Sequence, residues 1–511
     1  MVLPVDDAHP FEHLANGRVV KLRAADAAVG PPSDPRSTGV GPSPVPSGDS
    51  ATGLPALQPV EKTGAGAVVA WLPGRSLPRL TLPGIIAVAL WALVGLLWAA
   101  EAPLLAQGHR RSDFGIYYEW GYALRHGIDP YRTDLGPLSG SLGIDTGGIR
   151  HANYPAFFIL LFEPLTRLGL QRANLVWCCL NLAFLWGSLE LLWGEARRAM
   201  RPWNYVLWAL ALLYRPVSSN FYLGQVSVLL LFLLVAALRC SERRRDIAAG
   251  CLIGLAGLVK VFPLAVLAVF LLGRRWRVVT AALATVAAGL CLTAAALGVA
   301  PTLGFLHTLD SVIDRQRFEF ESTGLISLNA FITRLLLSSQ AAAAGLFADR
   351  ATQRLVVAGV SLVVVGLSTL ATWNARSARE LSAGFALWAV TAILVSPTAW
   401  HHYEVLLLIP FALVLRDRLQ VGEARAAAAA AVASYVLTQV TWFWQPLAGA
   451  HRGGWPAFFL DEGFFLSLLL GYAAAALLRL SAARPAAAPG AAAGAESSSA
   501  LLRYAAGNRT A

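Results

Sequence analysis

Long apolar runs dominate the chain from about residue 83 to residue 480 and alternate with short polar stretches. The first run, at about 83–106, is long enough to cross a bilayer, which requires roughly 20 apolar residues. None of the runs shows the strict apolar–polar alternation of a membrane β-barrel. The pattern therefore predicts an all-α integral membrane protein. The later runs lie at about 156–169, 173–195, 203–217, 226–240, 247–259, 261–272, 278–299, 353–373, 381–397, 403–415, 426–444 and 462–480.

Arginine tracts between the runs indicate the topology, because short cytoplasmic loops are enriched in Lys and Arg. The run at 157–168 is short, is bracketed by Pro155 and Pro164, and carries charged residues. If it lies in the membrane interface rather than spanning, six arginine tracts all fall on the cytoplasmic side. The expected topology has about twelve transmembrane helices, interfacial helices and both termini in the cytoplasm, in a plasma-membrane protein.

Composition agrees with this fold class: 56% of the residues are hydrophobic and only 14% are charged. The net charge of +11 resides largely in the loop tracts, so it does not predict a nucleic-acid partner. Residues 1–80 are expected to be a disordered cytoplasmic tail, 81–482 a polytopic membrane domain and 483–511 a second disordered tail. Residues 107–172 form the first extracytoplasmic loop in this topology.

Asp113 lies just beyond the first apolar run, at the start of this loop, beside Tyr117 and Tyr118. A carboxylate held at a membrane surface is a candidate general base for a hydroxyl group. The alternative is a solvated aspartate that caps the following helix. Three other acidic positions on the same predicted side, Asp129, Glu319 and Glu321, are further candidates for the base.

Cationic and imidazole side chains on the same predicted side are candidates for binding a phosphate group. Lys260 interrupts an apolar hairpin before Pro263, where a lysine needs an anion or water unless it reaches the interface. His401 and His402 adjoin Trp400, and Arg215 precedes a proline. Adjacent histidines are poor co-ligands for one ion, so no metal site is predicted.

Aromatic, amide and acidic side chains on this side are candidates for contacts with a sugar or an acceptor. No phosphate-binding glycine loop or dinucleotide motif is present, so neither a cofactor nor a soluble nucleotide-sugar donor is expected. The candidate contacts are Tyr117, Tyr118, Tyr131, Asn220, Gln225, Trp400 and Glu319.

Six short motifs follow one another along the apolar part of the chain: Asp113-Phe114 with Tyr117-Tyr118, Gly127-Ile128-Asp129-Pro130-Tyr131, Tyr154-Pro155 with Pro164-Leu165, Leu223-Gly224-Gln225, Lys260-Val261-Phe262-Pro263 and Ser396-Pro397 with Trp400-His401-His402-Tyr403. In this order they resemble glycosyltransferase family 87, the polyprenyl-phosphate-mannose-dependent α-(1→2)-mannosyltransferases that include the enzyme elongating phosphatidylinositol mannosides. The resemblance covers roughly residues 83–480.

This resemblance implies a GT-C glycosyltransferase fold with Asp113 as the catalytic base in an extracytoplasmic loop. It implies an inverting hexosyltransferase that moves mannose from a polyprenyl-phosphate-mannose donor to a mannosylated glycolipid or glycan acceptor at the outer membrane face. It also implies that His401 or His402 binds the donor phosphate. The alternatives are a GT-C transferase of another lipid-linked sugar and a lipid-linked sugar flippase or secondary transporter.

Overall fold

The computed structural model describes residues 81–107, 113–194, 203–306, 323–337, 349–373, 375–421, 424–448 and 455–483. The predicted tail at 1–80, and all but the first residue of the tail at 483–511, lie outside these ranges. Within the described ranges the regular structure is helical, and one isolated antiparallel bridge joins Leu325 to Trp400. The prediction of an all-helical protein is confirmed for this part of the chain.

The helices of the first half are α1 (Leu82–Gln107), α2 (Asp113–Arg125), α3 (Gly136–Leu142), α4 (Ala156–Phe162), α5 (Leu170–Trp193), α6 (Asn204–Leu213), α7 (Arg215–Leu223), α8 (Ser227–Glu242), α9 (Asp246–Val259) and α10 (Leu267–Leu272). The helices of the second half are α11 (Trp276–Leu297), α12 (Leu328–Leu337), α13 (Arg350–Thr372), α14 (Ala378–Val395), α15 (Leu408–Val421), α16 (Arg425–Ala448), α17 (Trp455–Asp461) and α18 (Gly463–Ala482).

Seven of the described helices are long and apolar enough to cross a membrane, namely α1, α5, α11, α13, α14, α16 and α18. This supports a multi-pass membrane protein, although the predicted number of twelve spans is not reached by these criteria. Helix α4 has seven residues and rises only roughly 10 Å, which is too short to span.

Helix breaks explain why several predicted spans are shorter in the structure. The run at 203–217 divides between α6 and α7 at Tyr214, which precedes Arg215 and Pro216. The hairpin at 247–272 divides at Lys260, after which a 3-10 turn, Phe262–Val266, contains Pro263. Proline lacks an amide hydrogen and restricts the residue before it, so helices tend to end or restart at such positions.

Helix burial separates a central pair from the helices at the periphery. In α14, 78% of the residues in its apolar 18-residue stretch are buried, and α8 buries apolar residues on nearly every face. By contrast, only 11% of the residues in the corresponding stretches of α1 and α13 are buried, and these helices expose large side chains such as Leu96 and Leu362. A helix that is apolar all round and exposed at the rim of a membrane protein is in contact with lipid.

Small residues let α9 pack closely against α11. A Cβ added at Gly250 would lie 2.3 Å from the Val278 carbonyl oxygen, and one at Gly254 would lie 2.7 Å from the Ala282 carbonyl oxygen. Glycines four residues apart on one face allow two helix backbones to approach in this way. The pairing fixes the end of α9, which leads directly to Lys260.

The substitution Gly250→Val is expected to force α9 away from α11 and to lower the free energy of unfolding by about 1–3 kcal/mol, the usual range for overpacking. The measurement is thermal unfolding of the detergent-solubilised protein. Gly359→Val is the matched control, because a Cβ at Gly359 of α13 meets nothing within 4 Å. Equal thermal midpoints for the two variants would contradict the close packing described here.

Candidate active site

A cavity of about 400 Å³ lies where five helix ends or breaks meet. Its wall includes Asp113 at the start of α2, residues between 149 and 154 before α4, Leu223 and Gln225 at the end of α7, Lys260 after α9, and residues between 398 and 403 that lie between α14 and α15. Polar side chains from positions far apart in sequence therefore share one hollow. Non-helical backbone inside a membrane protein is tolerated where it lines such a cavity.

Helix α2 presents Asp113, Tyr117 and Trp120 to this cavity. Their spacing of four and three residues places the three side chains on one helix face. The other helix face is buried against neighbouring elements, including α4 and the turn at Glu163–Arg167. The packing explains how a short helix outside the long spans holds a carboxylate in a fixed position.

The turn after α7 brings Gln225 to Asp113. Gly224 ends α7 with φ of +64°, and a Cβ at this position would lie 2.5 Å from the Cβ of Phe114. Only glycine meets both demands, the left-handed backbone and the close approach of α2. The amide of Asn220 donates to the Gln225 carbonyl oxygen at 3.2 Å and closes the turn.

A hydrogen-bonded chain joins Asp113 to Lys260 across the cavity. The amide nitrogen of Gln225 donates to the Asp113 carboxylate, and the Gln225 amide oxygen lies 2.9 Å from the Tyr117 hydroxyl oxygen. The Tyr117 hydroxyl donates to the Tyr154 hydroxyl at 2.9 Å, and the Lys260 ammonium donates to that same Tyr154 hydroxyl at 2.6 Å. The Gln225 side chain thus contacts protein groups at both ends of its amide while it also lines the cavity, and its predicted contact with a sugar or acceptor stays a prediction.

Burial changes the charge state of the groups at both ends of this chain. Burial raises the pKa of Asp113 above its usual value, opposed by the hydrogen bond from Gln225 and by the charge of Lys260. Burial lowers the pKa of Lys260 to about 7, and Asp113 opposes this shift. A carboxylate with a raised pKa is a stronger base, and a lysine in this range has a strong preference for an anionic partner.

Lys260 is held by aromatic rings as well as by hydroxyl groups. Its ammonium donates to Tyr403 and lies 4.5 Å from the ring centroid of Tyr154 and 4.2 Å from that of Tyr403. The ring of Phe262 stacks on Tyr403 at 5.4 Å. Cation–π contacts partly replace the water that the ammonium loses on burial.

The two histidines lie beside Lys260 in different environments. His401 shares a hydrogen bond of 2.9 Å with the Ser219 hydroxyl and stacks on Phe464 at 5.2 Å. His402 is buried, and neither ring nitrogen has a hydrogen-bond partner among the described residues. Burial lowers the pKa of His401 to about 4 and that of His402 well below its usual value. Both imidazoles are therefore neutral at pH 7, and His402 has a free donor for an anion.

A short backbone pairing positions the histidines. The His401 amide donates to the Gly324 carbonyl at 2.8 Å, and the Ile326 amide donates to the Ala399 carbonyl at 2.6 Å. The guanidinium of Arg334 on α12 donates to the Leu325 carbonyl at 2.9 Å and to the Glu462 carboxylate at 2.6 Å. The buried Arg334–Glu462 pair thus connects this pairing to the start of α18.

The structure places several predicted contact residues behind the cavity wall, where they support it. Tyr118 donates to the Leu168 carbonyl at 2.9 Å, and Tyr131 donates to the Tyr154 carbonyl at 2.6 Å. Asn220, as described above, closes the turn of Gln225. These hydroxyl and amide groups contact backbone instead of the cavity, because a short buried loop must satisfy its own polar groups.

Arg215, predicted to contact the donor phosphate, does not line this cavity, and its role stays a prediction. Its guanidinium forms an ion pair with Glu101 of α1 at 2.7 Å and lies 4.8 Å from the ring centroid of Trp442. Glu319, predicted as a sugar or acceptor contact, falls in 307–322, outside the described residues. Trp400, by contrast, lines the cavity.

Several further residues that line the cavity were not predicted from the sequence, among them Trp120, His151, Asn153 and Thr398. His151 and Asn153 flank the fully buried Ala152 in the non-helical segment directly before the Tyr154-Pro155 motif. Local sequence patterns gave no signal for this placement. Among the described residues no cluster of three or more His, Cys, Asp or Glu side chains could hold a metal ion.

The fold and the cavity together define a multi-pass helical membrane protein in which one cavity is lined by a carboxylate, a lysine and two histidines. Residues 153–397 match the model of glycosyltransferase family 87. The match confirms the predicted resemblance to this family over those residues. No solved structure matches the chain significantly.

Two mycobacterial relatives are both named polyprenol-phosphate-mannose-dependent alpha-(1-2)-phosphatidylinositol mannoside mannosyltransferase. The protein of Mycobacterium tuberculosis is 29% identical over 280 residues, which cover 51% of this chain and 61% of the relative. That of Mycolicibacterium smegmatis is 25% identical over 403 residues, which cover 72% of this chain and 86% of the relative. The alignment with the first relative thus spans less than two thirds of that protein.

Replacing Arg334 by Met is expected to lower the free energy of unfolding by about 3–5 kcal/mol, because it leaves the Glu462 carboxylate buried without its partner. The double variant Arg334→Met with Glu462→Leu should recover most of this loss. The measurement is thermal unfolding in detergent. Arg150→Met is the control, since the Arg150–Asp134 pair is more than half exposed and should contribute less than about 1 kcal/mol. A single variant no less stable than the double variant would disprove the role of this pair.

Proposed function

We propose that this protein is an inverting mannosyltransferase that uses a polyprenyl-phosphate-mannose donor. The observation that carries the proposal is the convergence of Asp113, Lys260, His401 and His402 on one cavity. The donor is supported by the names of the two relatives, which both state dependence on polyprenol-phosphate mannose. The family match supplies the class of reaction.

In the proposed reaction Asp113 accepts the proton of an acceptor hydroxyl as its oxygen attacks the anomeric carbon of the donor. The bond between that carbon and the phosphate oxygen breaks, and polyprenyl phosphate leaves as an anion. Attack opposite the leaving group inverts the configuration, so a β-linked donor gives an α-linked product. Gln225 orients the Asp113 carboxylate, and the raised pKa of Asp113 favours its uptake of a proton.

The leaving phosphate is bound by Lys260, which supplies charge, and by His402, which supplies a neutral hydrogen-bond donor. His402 is buried without a partner among the described residues, and an anion would satisfy it. His401 is the alternative donor, although its ring already bonds to Ser219. Donors fixed before the charge develops stabilise a transition state most effectively.

The acceptor in this proposal is a mannosylated glycolipid or glycan, extended through an α-(1→2) linkage at the outer face of the plasma membrane. The linkage and the lipid acceptor rest on the names of the relatives. The outer location rests on the arginine tracts of the sequence, since all six fall on the opposite side in the twelve-span topology. Both termini would then be cytoplasmic.

Two other functions are the alternatives to this proposal. A GT-C transferase of another lipid-linked sugar would use the same base and the same phosphate contacts. A flippase or secondary transporter would need ionisable groups accessible from both sides of the membrane. The cavity instead couples its carboxylate to its lysine through Gln225 and two tyrosines, an arrangement suited to an acid–base reaction.

The variant Asp113→Asn is expected to lower the rate of mannose transfer at least about 100-fold, the usual contribution of a general base, and to leave donor affinity within about threefold. The measurements are transfer of radiolabelled mannose in membranes and donor binding to purified protein. Asp129→Asn is the control, because the Asp129 carboxylate accepts from the Tyr131 amide at 2.9 Å and does not line the cavity.

Unchanged transfer by Asp113→Asn would refute the catalytic assignment, and lost transfer by Asp129→Asn would move it to that residue. Transfer from a lipid-phosphate pentose or another hexose, with none from mannose, would favour the second transferase. Movement of a lipid-linked sugar across the vesicle membrane, without transfer of the sugar to an acceptor, would favour the transporter.

Donor affinity is expected to weaken as the pH rises above about 7. Lys260 with a pKa of about 7 is charged below that pH and neutral above it, so the attraction for phosphate is complete at lower pH and is lost at higher pH. The dissociation constant should rise by up to about tenfold per pH unit, since binding must then take up one proton. The measurement is donor binding between pH 6 and 9.

Lys260→Arg is the control for this pH dependence, because a guanidinium stays charged throughout the range. Its donor affinity should be nearly constant above pH 7, whatever its absolute value. An equally steep dependence in the arginine variant would show that another group is responsible.

A further inference from the structure

Three polar atoms in the cavity belong neither to the base nor to the phosphate contacts. They are the His151 Nδ1, the Asn153 Oδ1 and the Trp120 Nε1, and none has a hydrogen-bond partner among the described residues. All three are shielded from solvent, although His151 and Asn153 as whole residues are only half-buried. Buried polar atoms without partners are uncommon, so their concentration in one cavity indicates a ligand that hydrogen-bonds to them.

The backbone of this segment is held in place from behind. The Ala152 amide donates to the Pro130 carbonyl at 2.7 Å, and the Arg150 carbonyl accepts from the Leu135 amide at 3.0 Å. Ala152 is fully buried, which leaves its two neighbours, His151 and Asn153, to face the cavity. The segment therefore presents two polar side chains on a fixed support.

This polar group adjoins the phosphate contacts through Tyr154. Asn153 precedes Tyr154 in the chain, and the Tyr154 hydroxyl accepts from the Lys260 ammonium at 2.6 Å. The same hydroxyl receives a hydrogen bond from Tyr117 on the face of α2 that carries Asp113. A group attached to a phosphate at Lys260 would thus extend past Tyr154 toward Asn153 and His151.

The chemistry of these atoms fits a hexose. The Asn153 oxygen accepts, the Trp120 indole donates, and the His151 nitrogen does either according to its tautomer. Neighbouring sugar hydroxyls each donate and accept, so they can satisfy this mixed set.

We propose that His151 and Asn153, with Trp120, form the subsite that binds the hydroxyl groups of the hexose carried by the lipid-phosphate donor. The proposal deepens the proposed function and rests on it. It divides the cavity into a phosphate part at Lys260 and His402 and a sugar part at His151 and Asn153, with the Asp113 carboxylate on the adjoining face of α2.

The test compares two lipids on the purified full chain in detergent: polyprenyl phosphate and polyprenyl-phosphate mannose. Wild-type protein should bind the sugar-bearing lipid more tightly. Asn153→Ala and His151→Ala should each weaken binding of polyprenyl-phosphate mannose by about tenfold, the usual order for one lost hydrogen bond to a polar group, and leave that of polyprenyl phosphate within about twofold.

His126→Ala is the matched histidine control, since His126 is exposed at the end of α2, contacts the Tyr122 carbonyl and does not line the cavity. It should bind both lipids as the wild type does. Retained binding of polyprenyl phosphate in each cavity variant also shows that the variant is folded. Should either alanine variant unfold, Asn153→Ser or His151→Gln replaces it under the same criterion.

Equal weakening for both lipids, or none for either, would overturn the sugar subsite. These outcomes are separable from failure of the proposed function. If the wild type transfers mannose but the variants keep the preference for the sugar-bearing lipid, only the subsite is wrong. If the wild type binds neither lipid and transfers no lipid-phosphate sugar, the proposed function itself fails.

Discussion

The architecture of the site depends on one constraint: an ammonium group is buried inside an apolar helical protein and must be stabilised there. Lys260 occupies a break between two short helices, where the chain supplies two tyrosine hydroxyls and two aromatic rings to it. Protein atoms surround much of Asp113 and Lys260, and electrostatic interactions there are stronger than at a fully solvated surface. This desolvation raises the pKa of Asp113 and lowers that of Lys260.

This constraint connects the base to the cationic end of the cavity. The Gln225 side chain donates to Asp113 and contacts the Tyr117 hydroxyl. Tyr117 in turn contacts the Tyr154 hydroxyl, which accepts a hydrogen bond from Lys260. A change at either end is therefore transmitted through fixed hydrogen bonds. Gly224 makes the connection possible, because its left-handed backbone brings Gln225 against the start of α2.

Supporting elements explain why residues outside the cavity matter to it. The buried Arg334–Glu462 pair secures the backbone pairing that holds His401, although both residues lie far from Asp113 in sequence. Close packing of α9 against α11 fixes the helix end from which Lys260 projects. A rigid surrounding of this kind allows short loops to present catalytic groups precisely.

The sequence by itself determined the fold class, because apolar runs of membrane length and arginine-rich loops follow from the cost of burying charge and peptide groups in lipid. It also singled out Asp113, Lys260 and the two histidines, since polar residues within apolar surroundings are few. Tertiary structure alone decided which polar groups face the cavity. Arg215 is paired with Glu101, and Gln225 is turned to Asp113, because each depends on partners more than 100 residues away. The same packing brought His151 and Asn153 to the cavity, a placement that local sequence patterns do not encode.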